Sequence, residues 1–328
     1  MPTPTPELAA ERPQTSLRGF IAAHIDPAAP PDAAVEALLA VIHRRHGDAL
    51  QAVLAYGSYL RGKRDTVLDF YVLLDDYRSL RAWQRPLAVA LAPNVYQIGA
   101  SFDAADGPRT ARAKYAVLTP RRFLRGTRRE FHSYFWARFA QPCQLLYCRD
   151  AGARAAVLDA LEAAPRSFAR RVLPTLPARF DSRALWQGGL RRTYRCELRS
   201  EKPGQAQALF ETNRAHFQAL TRLLAAESTG LDAAADATGD SYSQPQPGAM
   251  RRRLAGLDWG LRAALGKLLS VARVAKAATT FEAPLEYLLW KIERHSGIRA
   301  NPSPRQLRHP LIFAWPLLWR LYRQGAFR

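Results

Sequence analysis

Tyr56-Gly57-Ser58 ends a mostly apolar run, and ten residues separate Ser58 from Asp69-Phe70-Tyr71 near the start of a second run. Residue types in this order suit phosphate chemistry. Gly57 lets the backbone approach a triphosphate closely. The Ser58 hydroxyl and the turn amides can bond its oxygens. Asp69 can hold Mg²⁺, a hard ion that takes carboxylate and phosphate oxygens. Arg61-Gly62 adds a basic residue soon after the Gly-Ser turn. An ordinary hairpin with Gly-Ser at its turn has the same local pattern.

A second carboxylate on the same strand face could share a metal with Asp69, and the nearest position on that face is two residues on. That position is Tyr71. Asp75 shares the face, but six residues of strand put it about 20 Å away, too far for one metal site. Asp75-Asp76 read instead as a strand-end turn. The site is therefore degenerate, or its second carboxylate comes from elsewhere in the chain.

The elements around these residues alternate between short apolar runs and helical periodicity. Val35, Leu38, Leu39 and Ile42 repeat at helical spacing over 31–45. The runs around 49–58 and 67–76 read as two short buried strands joined by a polar turn. A helix is expected over 79–91, strands over 94–100, 113–118 and 144–147, a basic aromatic helical region over 120–140, and a helix over 151–164. The chain is mainly helical over 180–221. Residues 227–250 are small, acidic and contain Pro and Gly, the composition of a loop or linker. From 251 the sequence is helical and strongly basic. The expected domains are a tail at 1–14, a core at 15–165, a helical substrate-binding region at 166–226, the linker at 227–250, and a basic, membrane-proximal region at 251–328.

The chain has 328 residues, 48% of them hydrophobic, enough for a sizeable core and unlike disordered, collagenous or coiled-coil sequences. Its 48 Lys and Arg against 28 Asp and Glu leave a net charge of +20, which points to an anionic partner. Cys143, Cys148 and Cys196 lack the spacing of a zinc site and read as apolar residues in a reducing compartment. The first residues lack the pattern of a secretory signal, and no window reaches the apolar length of a membrane span.

The Gly-Ser and Asp69 pattern resembles the nucleotidyltransferase superfamily that includes DNA polymerase beta. Further motifs narrow the resemblance. Lys114-Tyr115-Ala116-Val117 is followed by Tyr134, Ala137-Arg138 and Gln141-Pro142. Thr193-Tyr194-Arg195-Cys196-Glu197-Leu198-Arg199 comes next, then Asn213 and His216-Phe217. In this order the chain resembles, as a divergent bacterial relative, the mitochondrial translocator assembly and maintenance family, the soluble-type phosphatidate cytidylyltransferases. That family shows Tyr-Gly-Ser, then Asp-Phe without a second Asp two residues later. It continues with Lys-Tyr-Gly-Val, Tyr-x-x-Gly-Arg-x-x-Lys-Pro, Ser-Tyr-Ser-Gly-Asp-x-Arg and Asn-x-x-His-Phe. The resemblance runs from Ala55 to Phe217. Ala116 and Ala137 stand for Gly, Gln141 for Lys, Cys196 for Gly and Glu197 for Asp, and no His-Tyr-Ser element is visible.

The resemblance implies an α+β fold: a nucleotidyltransferase-like mixed sheet flanked by helices, followed by a mostly helical C-terminal region. It implies transfer of CMP from CTP to phosphatidic acid, with Mg²⁺ on Asp69 and Glu197. Asp69, Glu197 and Lys114 would act at the reacting centre, and Gly57, Ser58, Arg61, Lys114, Arg138 and Arg199 would bind the nucleotide. Tyr56, Tyr194 and His216 read as packing residues. The partner would be an anionic membrane surface, reached from the cytoplasm at the inner face of the cell membrane, with no stable nucleic-acid partner. The C-terminal residues 309–328 and the basic stretch 251–273 are the expected contacts. Two alternatives stay open: a nucleotidyltransferase with another acceptor, and a non-catalytic basic binding module, which Tyr71 favours.

Overall fold

Along β1 (Leu50–Tyr56) and β2 (Leu68–Leu74) nearly every side chain is buried, on both faces. Such strands read as continuous apolar runs because helices cover the sheet on each side. The computed structural model describes residues 16–57, 59–61, 67–104, 107–197, 204–227, 231–234, 239–280, 289, 301–308, 313 and 315–323. The expected tail at 1–14 lies outside them.

The mixed sheet has five strands in the order β3-β4-β2-β1-β5, with β3 at Asn94–Ala104, β4 at Gly107–Leu118 and β5 at Cys143–Cys148. Only β2 and β4 pair in parallel; the other neighbours are antiparallel. The parallel pair forces a crossover, supplied by α3 (Gln84–Ala90) and β3. Both β3 and β4 run longer than their apolar cores, because the hairpin continues as a two-stranded ribbon through exposed residues.

Each face has its own core. Val53, Phe70, Val72, Tyr115 and Val117 pack beneath α2 (Ala33–His46), through Val35, Leu38 and Ile42. Asp32 starts that helix by accepting the Val35 amide at 3.0 Å. Leu54, Tyr71, Leu73, Ala116 and Leu145 face the larger core. There they meet α4 (Pro120–Arg128), α5 (Trp136–Phe139) and α6 (Ala151–Val172).

Two expected boundaries are corrected. The helix expected over 151–164 continues as α6 to Val172 with Pro165 inside it, held by buried Phe168 and Val172. Residues 227–250 are not simply a linker. Asp232–Ala234 (β7) and Ser241–Ser243 (β8) form a small sheet with Arg179–Asp181 (β6), in the order β6-β8-β7. Tyr242, fully buried and stacked 6.1 Å from Phe180, anchors it. One aromatic among small polar residues is a weak strand signal. Helices α7 (Ser182–Arg195), α8 (Gln205–Thr212), α9 (Arg214–Glu227) and α10 (Ala249–Thr280) follow, with shorter helices at Pro304–Arg308 and Trp315–Arg323. The expected 180–221 helical stretch is thus three helices, the last running past 221.

His46, at the end of α2, is buried, with Nδ1 3.0 Å from Ser79 Oγ and Nε2 3.3 Å from Tyr115 Oη. Burial, helped by neighbouring Arg45, pushes its pKa down to about 4. The unfolded chain therefore takes up a proton first as pH falls from about 6.5. The stability His46 supplies is complete above that pH, shrinks down to about 4 and is constant below. Linkage bounds the loss at roughly 3 kcal/mol. Urea midpoints at pH 7 and pH 5 measure it, and His46→Gln should show a smaller drop between them than wild type.

Candidate functional site

Asp69 sits where the helical cover of the sheet runs out. Tyr71, two residues further along the same face of β2, is wholly buried, whereas Asp69 is half-buried. Its neighbours across the sheet are Tyr56 on β1 and Lys114 on β4. Directly opposed residues share a face, so Tyr56, Asp69 and Lys114 form one row at the rim of the sheet. The sheet register thus brings together three of the residues named from sequence.

Gly57 follows Tyr56 directly. Its φ of +89° lies in the region that glycine adopts without steric cost. A Cβ built there would stand 3.5 Å from Asp69 Oδ2. The glycine therefore turns the chain and keeps the space beside the carboxylate clear. Tyr59, in the turn that follows, donates its hydroxyl to Asp32 Oδ2 at 3.0 Å and ties this turn to the start of α2. Ser58, the Arg61 side chain and Arg199 lie outside the described residues.

Arg138 is placed differently from its expected role on a phosphate. Its side chain is 11% exposed and lies among aromatic rings. Nη1 donates to Tyr71 Oη at 2.8 Å, and the group lies over the rings of Tyr134, at 4.2 Å, and Tyr56, at 5.1 Å. Burial holds the Tyr71 phenol well above its ordinary pKa despite Arg138 beside it, so the hydroxyl stays neutral. The position where a second carboxylate would stand is thus filled by a phenol bonded to a buried arginine.

Glu197 comes to the same cluster from the bend after α7. Its carboxylate is 4.0 Å from Arg138 Nη2 and 13% exposed. Glu197, expected to join Asp69, stands at Arg138. Among the described residues no group of three or more His, Cys, Asp or Glu could hold a metal ion. Mg²⁺ commonly takes one or two carboxylates and draws its other oxygens from phosphates and water. Asp69 beside the cleared Gly57 turn fits that manner of binding.

Three residues of this site were missed in the sequence. His132 is buried; its Nδ1 accepts the Tyr134 amide at 3.2 Å, which leaves the Nε2 proton facing the Cys196 carbonyl at 3.5 Å. Burial and the nearby Arg273 lower its pKa and keep it neutral. Arg273, from α10, lies 4.4 Å over the Tyr134 ring. Gly266 brings α10 against this centre, since a Cβ there would collide with the Cys196 carbonyl and come within 2.7 Å of His132 Nε2. The stretch Phe131-His132-Ser133-Tyr134 was the available signal for the first; no local pattern marks Arg273 or Gly266.

Gly266→Ala should therefore push α10 off Cys196 and lower stability by about 1–3 kcal/mol. Gly260→Ala, on the same helix with nothing within 4 Å of the added Cβ, should be neutral or stabilising. Melting temperatures of the two variants give the comparison.

The remaining sequence readings are packing residues or turns. His216 packs 5.4 Å from Phe20 and 5.7 Å from Phe217. Asp75 ends β2 in a turn and pairs with Arg149 at 2.7 Å. The three cysteines are free; Cys196 is buried, while Cys143 and Cys148 are half-buried. No family model matches this chain, and no curated protein matches it.

Proposed function

We propose that the protein is a nucleotidyltransferase that moves CMP from CTP to phosphatidic acid, giving CDP-diacylglycerol and pyrophosphate. The observation that carries the reading is the row of Tyr56, Asp69 and Lys114 beside the positive-φ Gly57. A glycine turn that leaves room at a carboxylate, with a lysine on the adjacent strand, suits a magnesium-bound triphosphate. The motif order from Ala55 to Phe217 supplies the acceptor.

Asp69 would hold Mg²⁺, which when bound neutralises charge on the phosphates. Lys114 places a point charge on the same face. The acceptor phosphate is largely ionised near neutral pH, since its second pKa is about 6. The nucleophile therefore needs no general base, and His132 remains a buried, neutral positioning residue behind Glu197. Arg138 acts from inside, holding Tyr71, Tyr134 and Glu197 in place.

An anionic membrane surface is the partner this reading requires. Among the described residues no helix is long and apolar enough to cross a membrane. On α10, Leu254, Leu257, Leu261, Leu265 and Leu268 are exposed at helical spacing, with Arg251, Arg253 and Lys267 flanking them in sequence. In the helix Trp315–Arg323, Trp319 is exposed beside Arg320 and Arg323. Both surfaces suit an interface carrying anionic headgroups.

Purified protein, labelled CTP, Mg²⁺ and phosphatidate liposomes test the reading. Labelled CDP-diacylglycerol is the expected product. Magnesium-dependent triphosphate binding without lipid product would favour another acceptor. No binding at all would favour the basic binding module that Tyr71 suggests.

A further inference from the structure

A groove runs between the last turns of α7, the short turn Leu173–Thr175 and the N-terminal half of α10. Its volume is about 430 Å³, within the usual range of ligand pockets, about 300–1,000 Å³. Arg252, Gly256, Trp259, Gly260 and Ala263 line it from α10, and Thr175, Arg192 and Arg195 line the opposite wall. Spacings of three and four residues put the α10 residues on one face of that helix, and Arg192 and Arg195 on one face of α7. Added Cβ atoms at Gly256 and Gly260 would meet nothing within 4 Å, so the floor is low and open. Trp259 is fixed by its indole N–H, which donates to the Arg171 carbonyl at 3.2 Å.

Three arginines face this groove. Arg192 donates Nε to Thr175 Oγ1 at 3.2 Å. Among the described residues no carboxylate pairs with Arg192, Arg195 or Arg252. Burial and the nearby Arg195 lower the Arg192 pKa. Arginine matches phosphate oxygens with paired donors. Beside the three guanidiniums lie an indole ring and a strip of glycine and alanine, which suit carbon rather than water.

We propose that this groove binds the phosphate-monoester head of an anionic amphiphile, with Arg192, Arg195 and Arg252 on the phosphate and Trp259 and the glycine floor against the first carbons. The inference rests on the proposed function for the lipid's identity, and on the groove alone for the binding chemistry.

Calorimetric titration of the whole chain with dihexanoyl phosphatidate, and separately with inorganic phosphate, tests it. Wild type should bind the lipid at least about 10-fold more tightly than phosphate. Losing two charge-assisted contacts in Arg195→Gln/Arg252→Gln should weaken the lipid by about 10- to 100-fold. Gly260→Leu, whose side chain enters open space, should weaken the lipid to a similar degree with no fall in melting temperature. Asp69→Ala should bind the lipid as wild type does. Equal affinity for lipid and phosphate would overturn the amphiphile assignment. Lipid binding that survives both groove variants, or that is lost with Asp69→Ala, would overturn the groove. Binding here without transfer by wild type would sink the proposed reaction and leave the groove standing.

Discussion

Asp69→Ala should lower CMP transfer by about 10³-fold or more, with a melting temperature close to wild type. The size follows from the position. Asp69 is the only carboxylate in the rim row that also contains Tyr56 and Lys114, and Tyr71 gives the strand no second one. The modest structural cost follows from the same place: the residue is half-buried at the margin of the core rather than within it. Asp69→Asn keeps shape and removes charge, so it should be nearly as impaired and should lose magnesium-dependent CTP binding. If Asp69→Asn retained wild-type turnover, charge at this position would be unnecessary and the metal assignment would fail.

Arg138→Ala should unfold at lower urea, by about 3–5 kcal/mol, the cost of breaking a buried ionic cluster from one side. Three losses combine. Tyr71 Oη loses the donor 2.8 Å away inside the core. Glu197, 13% exposed, loses the cation 4.0 Å from it. A cavity opens beside Tyr134 and Tyr56. Tyr71→Phe removes only the hydroxyl and should cost about 1 kcal/mol. In the double variant Arg138→Ala/Tyr71→Phe the two effects should be less than additive, because the Arg138–Tyr71 hydrogen bond can be lost only once. Additive losses would mean that Arg138 stabilises the fold through stacking alone.

The strands that carry the rim row were legible because they are buried on both faces and read as apolar runs bounded by a Gly-Ser turn and by Asp75-Asp76. Asp69 and Lys114 were legible as types. Their adjacency was not, since it depends on a parallel pairing across a crossover that no local pattern encodes. Glu197 was legible as an acid, but its approach to Arg138 was not, because the enclosure of Arg138 by Tyr56, Tyr71 and Tyr134 depends on elements distant in sequence. The α10 contribution was hidden for a different reason. A glycine and an arginine in a basic, Ala-rich helix look like solvated residues until the helix meets His132 and Cys196. Pro165 misled because its usual effect is to end a helix, whereas here packing of Phe168 and Val172 on the residues beyond it carries α6 onward.

That continuous helix has a mechanical consequence. At 22 residues, α6 is about 33 Å long. It lies against the sheet through α4 and α5, and against α1 (Leu17–His24), α7 and α9 further along. A rod shared by both parts leaves no joint at 165 about which they could rock. On the proposed reaction, access for a bulky acceptor would come from local displacement of α10 where Gly266 seats it. A spectroscopic reporter on α10 should register substrate entry, and a pair spanning α6 should stay at fixed separation.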